Sequence, residues 1–174
     1  MPAVKKKLLI GVGVVVLLLG AAVGWVALGT LKSPKDSVTH GGVTITYCRP
    51  YKKGRVIFGG EGALQPYGKY WRLGANAATE ITFAQDTTFG GKPVKAGMYV
   101  MYAVPGEQTW KIALNSENGR WGAREVDHSK DVMSFEVPAE HAAQPLEQFT
   151  ITIDDDNVNM AWDATVVRAP IKRS

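Results

Sequence analysis

An uncharged, apolar run near the N-terminus is the feature that most limits what this chain can form. Residues 8–31, LLIGVGVVVLLLGAAVGWVALGTL, contain no charged side chain. A helix needs about 20 apolar residues to cross a bilayer core, so the run predicts a transmembrane helix. Lys5, Lys6 and Lys7 precede it, and such an excess of basic residues stays in the cytoplasm. We therefore expect residues 1–7 to be a cytoplasmic tail and the remainder to lie across the membrane.

A cleaved signal peptide is the alternative interpretation of this run. The apolar core of a signal peptide is about 7–15 residues long and is followed by a cleavage site with small residues. GAA at 20–22 fits such a site. The apolar run continues through Trp25, Val26 and Leu28, however, and this length favours a retained signal anchor.

Small residues follow one stripe of the predicted helix. The stripe consists of Gly13, Gly20, Gly24 and Ala27, and GAAVG within it is a G-x-x-x-G pattern. Small side chains let helices approach closely in lipid, so the stripe predicts packing against the transmembrane helices of a partner. The alternative is that glycine is simply frequent in such helices. The span has no histidine and no ionisable group, so it offers neither a haem ligand nor an ion path.

Charge divides the chain at the predicted anchor. The formal net charge is +4, and four of the basic residues lie in or beside the anchor, including Lys32. The remaining 16 bases balance the 16 acids, which all follow residue 32. A neutral external part gives no reason to expect a nucleic acid partner. Cys48 is the only cysteine, so the fold has no intrachain disulfide and depends on its core.

The external part has the pattern of a β domain. We predict a linker over residues 32–42 and an external β-sandwich domain over residues 43–174. Several segments alternate apolar and polar residues, as half-buried strands do, and turn residues recur about every 8–12 residues. No segment sustains a helical period for more than about two turns; residues 139–148 come nearest, and Pro145 limits them. The expected fold class is all-β, an antiparallel β-sandwich or jelly-roll-like domain of about eight or nine strands, behind one N-terminal transmembrane helix. The predicted strands are VTITYC (43–48), TEITFA (79–84), MYVMYAV (98–104), TWKIALN (109–115), DVMSFEV (131–137), QFTITID (148–154), NVNMAWD (157–163) and ATVVRAPI (164–171).

A long irregular connection, residues 47–80, carries the candidate binding residues. Long connections in compact domains are often functional, and arginine and aromatic side chains suit carboxylates, phosphates, sugars or a protein surface. The alternative is that the arginines pair with acids to hold the connection in place while Trp71 plugs the core. The candidates for binding a ligand or partner are Arg49, Arg55, Tyr67, Trp71, Arg72, Asn76 and Glu80.

The basic stretch YCRPYKKGRVIFGG, residues 47–60, divides into two kinds of cation. We expect Arg49 and Arg55 to hold the connection in place or to recognise a surface. We expect Lys52 and Lys53 to be mostly solvated.

Signals of catalysis or metal binding are weak. The three histidines, His40, His128 and His141, are scattered and lack the spacing of a zinc site. Cys48 lies in a predicted strand, where it is more typical of a small apolar packing residue than of a nucleophile. DDDN at 154–157 lacks the length and distal glutamate of a calcium loop and is typical of a hairpin tip. We expect no catalytic residue, no metal and no cofactor.

Several motifs, in order, resemble a known family. They are SPKDSV, VTITYCRPYKKGRVIFGG, PYGKYWRLGANAATEITF, GGKPVKAGMYVMYAVPG, WKIALN, WGA and FTITID. From about Ser33 to Ile171, the chain resembles the bacterial domain-of-unknown-function family 2911. The resemblance implies an exported β domain and brings no established activity. The residues that match the pattern are Arg49, Pro50, Gly54, Arg55, Tyr67, Gly68, Trp71, Arg72, Gly74, Asn76 and Thr79.

Together these observations predict a non-catalytic protein in the bacterial inner membrane, with its N-terminus cytoplasmic and its C-terminal domain periplasmic. We expect an accessory subunit whose partners are the transmembrane helices and extrinsic subunits of a larger membrane complex, such as a photosynthetic or respiratory one. The alternatives are a periplasmic module that binds a carbohydrate or an anion, and an uncharacterised hydrolase that uses Glu80 or aspartates.

Overall fold

The chain forms an all-β domain over the residues described by the computed structural model, 33–122 and 124–173. Eleven strands and one short 3-10 helix, His128–Lys130, lie in these ranges. The strands are β1 (Lys35–His40), β2 (Val43–Cys48), β3 (Phe58–Gly59), β4 (Gln65–Pro66), β5 (Thr79–Phe83), β6 (Thr87–Phe89), β7 (Lys92–Val94), β8 (Gly97–Val104), β9 (Thr109–Asn115), β10 (Asp131–Ile153) and β11 (Asn157–Arg173).

Nine of these strands form one antiparallel sheet in the order β1-β2-β5-β8-β9-β10-β11-β6-β7, and β3 and β4 form a small parallel pair. The long strand β10 belongs to two layers. Its first part pairs with β9, and its second part, from Ala139, pairs with β11. Register shifts between His141, Leu146 and Thr150 interrupt that second pairing, and such bulges let a strand bend from one layer into the next. The result is a sandwich-like domain around one main core.

The alternation of apolar and polar residues in the sequence correctly predicts which side chains of β2, β5 and β9 are buried. Val43, Ile45 and Tyr47 of β2 are all buried, and so are the alternating residues of β5 and β9. Five aromatic rings meet at the centre: Phe58, Trp71, Trp110, Phe149 and Trp162. Because aromatic side chains bury large apolar areas, this cluster is a principal source of the domain's stability.

Three boundaries differ from the sequence expectation. The predicted linker contains β1, which pairs along its whole length with β2. The four strands predicted after residue 130 merge into two, β10 and β11, which run on either side of the tip Asp154–Asp156. Residues 139–148, the nearest approach to a helix, are part of β10. Pro145 is tolerated there because it lies within the bulged region, where no ladder hydrogen bond is required of it.

The face of β8 that points away from the main core also carries a cluster of buried residues. In β8, Met101 and Ala103 face the main core, whereas Val100 and Tyr102 join a second, smaller cluster with Val126. That second cluster also includes Ala78, and its members Ala78 and Val126 belong to two connections, residues 70–78 and 116–130. These connections are where the candidate site forms.

Within the described ranges, no helix is long and apolar enough to cross a membrane. The predicted transmembrane helix over 8–31 and its packing stripe, Gly13, Gly20, Gly24 and Ala27, lie outside the described residues and stay predictions.

Candidate functional site

Trp71 is a core residue and not a surface residue. It is only 2 % exposed, and its ring centroid lies 4.9 Å from that of Phe149 and 5.6 Å from that of Trp110. Its indole Nε1 donates to the backbone oxygen of Gly74, 3.2 Å away. Trp71 therefore fits the alternative in which it plugs the core, and its contact with a ligand or partner stays a prediction.

Arg49 holds the start of the irregular connection against two strands. Its Nη1 pairs with Asp36 of β1 at 3.2 Å. Its Nε and Nη2 donate to Phe149 O and Thr150 Oγ1 of β10, at 3.2 Å and 2.9 Å. Because its guanidinium nitrogens all donate to groups of the domain itself, Arg49 holds the irregular connection in place.

The other three cations of the basic stretch behave differently from one another. Arg55 is exposed, yet its guanidinium folds back and donates to the backbone oxygens of Lys52 and Tyr51. Lys52 is not solvated, contrary to the expectation: its Nζ lies 2.6 Å from Oδ1 of Asp163 in a largely covered ion pair. Lys53 is exposed as expected. The connection is thus tied to β11 and to its own backbone.

Tyr67 belongs to an exposed apolar group that we call the loop patch: Val56, Leu64 and Tyr67. These side chains are 67 %, 37 % and 37 % exposed. Their backbone segments run side by side, because Leu64 N donates to Val56 O at 3.0 Å and Tyr67 N to Gly59 O at 2.8 Å.

Arg72, Asn76 and Glu80 meet elsewhere, at residues 119–122. The carboxylate Oε1 of Glu80 accepts from Gly119 N at 3.0 Å, and the backbone oxygen of Asn76 accepts from Gly122 N at 3.2 Å. The structure therefore brings three of the seven predicted residues together and leaves Arg49, Arg55, Tyr67 and Trp71 apart.

Gly122 allows this close approach. A Cβ at Gly122 would lie 2.6 Å from Ala78 N and 2.6 Å from Cδ of Arg72. Because the first of these atoms belongs to the backbone, no side chain can be accommodated without moving the connection. Arg72 therefore forms part of the floor on which residues 119–122 rest.

A cleft of about 380 Å³ opens beside these contacts. Its walls come from β1, β2, β5 and residues 119–121. We call it the tryptophan cleft and define it by the side chains Lys35, Thr46, Glu80, Arg120 and Trp121.

A family profile described as "Protein of unknown function (DUF2911)" matches residues 31–171. The chain belongs to this family. Comparison with curated proteins and comparison with solved structures each give no match. The match covers the domain from Ser33 to Ile171, so both the loop patch and the tryptophan cleft lie in the DUF2911 region.

Within residues 33–122 and 124–173, no group of three His, Cys, Asp or Glu side chains is arranged to hold a metal.

The cleft of this DUF2911 domain is supported by an acid–base network in residues 116–130. Arg120 pairs with Glu117, and its Nη2 donates to Glu125 O at 3.0 Å. Lys130 also pairs with Glu117, at 3.4 Å. The backbone N–H of Asp127, with the charges of Arg120 and Lys130, lowers the pKa of the Glu117 carboxyl. Glu117 thus binds Arg120, Lys130 and the backbone of Asp127, and these contacts hold the connection together.

His128 joins this connection to the sheet beneath. Its imidazole nitrogens lie 3.0 Å from Glu125 Oε1 and 3.1 Å from Asp131 Oδ2. Tyr102 of β8 donates to the same Asp131 oxygen at 2.6 Å, and burial together with this carboxylate raises the pKa of Tyr102 well above its usual value. Hydrogen bonds to Glu125 and Asp131 raise the pKa of His128.

The raised pKa of His128 predicts a pH-dependent stability. Because the folded pKa lies above the unfolded value of about 6.5, the contribution is fully present below about pH 6.5 and is lost as pH rises through the folded pKa. We expect the free energy of unfolding to fall more between pH 5.5 and pH 8.5 in the wild type than in His128→Gln. Urea unfolding at both pH values measures this difference.

His141→Gln is the matched control, because His141 is exposed on β10 and its imidazole has no hydrogen-bond or ion-pair partner among the described residues. This variant should keep the pH dependence of the wild type. Equal pH slopes for the wild type and His128→Gln would show that the two carboxylates do not stabilise the imidazolium.

Sequence reasoning missed Lys35, Arg120 and Trp121. Lys35 was assigned to a linker. Arg120 and Trp121 lie in NGRWG, residues 118–122, where two glycines flank a tryptophan and no strand alternation gives it a buried face. A tryptophan in such a segment is the signal that could have found the cleft, and only the fold shows that Glu80 lies beside it.

Proposed function

We propose that this protein is a non-catalytic accessory subunit of a larger membrane complex, which docks on a partner subunit through the loop patch. In this proposal the predicted helix over 8–31 tethers it in the bacterial inner membrane, and the β domain works on the periplasmic side. The observation that supports docking most directly is the exposure of Val56, Leu64 and Tyr67 on one ordered connection. Apolar groups gathered on a surface are typical of protein interaction sites.

Hydrogen bonds order the backbone on both sides of the loop patch. Backbone hydrogen bonds join Lys52 N to Glu147 O at 2.6 Å and Gly68 N to Pro105 O at 2.8 Å, one on each side of the patch. The Arg55 guanidinium closes the turn before Val56. A surface that is already ordered loses little conformational entropy on binding, so its apolar contacts contribute more to affinity.

The surrounding charges indicate the chemistry of the partner surface. Lys53, Arg55 and Lys69 are exposed on the segment 51–71 that carries the patch, and Glu61 is the one acid of that segment. From β10, the Glu147 carboxylate also approaches and accepts from Lys53 N at 2.8 Å. We therefore propose a partner surface with an apolar centre and acidic residues around it, because complementary charge favours the correct orientation.

Val56→Asp tests this docking surface. Placing a carboxylate within an apolar contact should weaken association by about 2 kcal/mol or more, which is roughly a 30-fold change in affinity. The measurement is the amount of partner subunit that co-purifies with the tagged full chain from native membranes, solubilised gently.

Val132→Asp is the matched control, since Val132 is 49 % exposed on β10, outside the patch. It should leave co-purification unchanged, and thermal unfolding should show that both variants keep the fold. Recovery of the wild-type chain only as a free monomer, or equal partner recovery with both variants, would overturn the proposal.

A further inference from the structure

Trp121 is exposed in a way that the other described tryptophans are not. It is 66 % exposed, whereas Trp71, Trp110 and Trp162 are 2 %, 1 % and 1 % exposed. Leaving a large indole in water forfeits the free energy that its burial would provide. An aromatic side chain presented at the edge of a cleft is therefore a candidate contact for a ligand.

Both neighbours of Trp121 are fixed to the domain. Arg120 is bound to Glu117 and to Glu125 O, and its side chain is 15 % exposed. Gly122 is bound to Asn76 O and rests on Ala78 and Arg72. The backbone that carries the indole is thus held in place on both sides, so the exposed ring forms a prepared surface.

Polar groups of both hydrogen-bonding types face the same cleft. Glu80 uses Oε1 to accept from Gly119, which leaves its second carboxylate oxygen available as an acceptor. The ammonium group of Lys35 has no hydrogen-bond or ion-pair partner among the described residues. The hydroxyl of Thr46 lies 3.3 Å from Ser37 Oγ and keeps acceptor capacity beyond that hydrogen bond. Lys35 and Glu80 line one cleft, yet no ion pair joins them.

This combination suits one class of ligand. A sugar ring has a face of C–H groups that packs on the π-face of an indole, and hydroxyl groups at its edge that pair with carboxylate and hydroxyl side chains. The unpaired ammonium group of Lys35 adds a site for a negative charge. The cleft volume of about 380 Å³ is at the small end of the range of about 300–1,000 Å³ for small-molecule sites.

We propose that the tryptophan cleft binds a saccharide that carries a carboxylate group. The sugar ring stacks on Trp121, its carboxylate pairs with Lys35, and its hydroxyls hydrogen-bond with Glu80 and Thr46. This role is independent of docking through the loop patch, because the two surfaces share no residue.

The test uses the tagged full chain in a detergent without a sugar headgroup, on an array of defined oligosaccharides with uronic acids, other carboxylated sugars and neutral sugars. We expect binding to acidic members. The best acidic binder is then compared by calorimetry with its methyl ester, which has the same ring and no charge. The ester should bind at least about tenfold more weakly, and the affinity of the acid should fall as salt increases.

Variants assign the roles of the two side chains. Trp121→Ala should weaken binding of the acid and of the ester alike, by about tenfold or more. Lys35→Gln should reduce the affinity for the acid to that for the ester and leave the ester unaffected. Tyr67→Ala, in the loop patch, should change neither.

Three outcomes would overturn the proposal: no acidic oligosaccharide on the array is bound, the acid and its ester bind equally, or Trp121→Ala binds as the wild type does. Each of these leaves the docking proposal intact, because that proposal is tested by Val56→Asp and partner recovery.

Discussion

Trp71→Ala is expected to lower the free energy of unfolding by about 3–5 kcal/mol, the range for removing a large aromatic side chain from a core. Trp71 is in contact with four other rings of the central cluster, and its indole stacks on that of Trp162 at a centroid distance of 5.9 Å. The variant leaves a cavity among rigid rings that cannot collapse to fill it. Urea unfolding of the full chain in detergent, followed by tryptophan fluorescence and circular dichroism, measures the loss.

Trp121→Ala provides the matched control, since it removes the same side chain from an exposed position. Its cost should be within about 0.5 kcal/mol, as for ordinary surface substitutions. Equal losses in the two variants would contradict the assignment of Trp71 to the core. The same pair also separates stability from binding, because Trp71→Ala should reduce the folded population while Trp121→Ala reduces only the affinity of the cleft.

Gly74→Ala is the second substitution with a large expected effect, about 2–4 kcal/mol. Gly74 has φ +153°, and a Cβ there would lie 2.7 Å from the backbone oxygen of Cys48 in β2. The methyl group cannot fit unless β2 or the connection moves. Either movement would disturb the Trp71–Gly74 hydrogen bond and the contact between Asn76 and Gly122.

Comparison with Gly62→Ala separates the steric clash at Gly74 from the cost of backbone strain. Gly62 also has a positive φ, +95°, but nothing lies within 4 Å of the position its Cβ would take. It should lose only about 1–2 kcal/mol, from backbone strain. The two variants are compared by urea unfolding, and equal losses would show that the approach of Cys48 is not limiting.

The candidate residues illustrate how far a linear pattern can locate a site. The segment 47–80 is a candidate for binding because it is long, irregular and rich in arginine and aromatic residues, and the alternative is that these residues only hold the connection and the core in place. Residues of that segment divide, however, between the core, the loop patch and the tryptophan cleft. Nothing in the local sequence distinguishes Arg49 and Trp71 from Arg72 and Glu80. Only long-range contacts do so, such as that of Arg49 with Phe149 and that of Glu80 with Gly119. The partners Arg120 and Trp121 lie about 40 residues further along the chain and carry no local mark of that proximity.

The sequence by itself determined the all-β class, the faces of β2, β5 and β9, and the tip between β10 and β11. These are local properties, because the alternation of apolar residues and the turn chemistry act over a few positions. Only the tertiary structure decided that residues 35–40 are a strand, since β1 has no apolar face of its own and exists by pairing with β2. It also decided that Lys52 is paired, that Trp71 is central and that Trp121 stands beside Glu80. Each of these depends on contacts between distant positions, and the free energy of such contacts is set by the packed fold rather than by neighbouring residues.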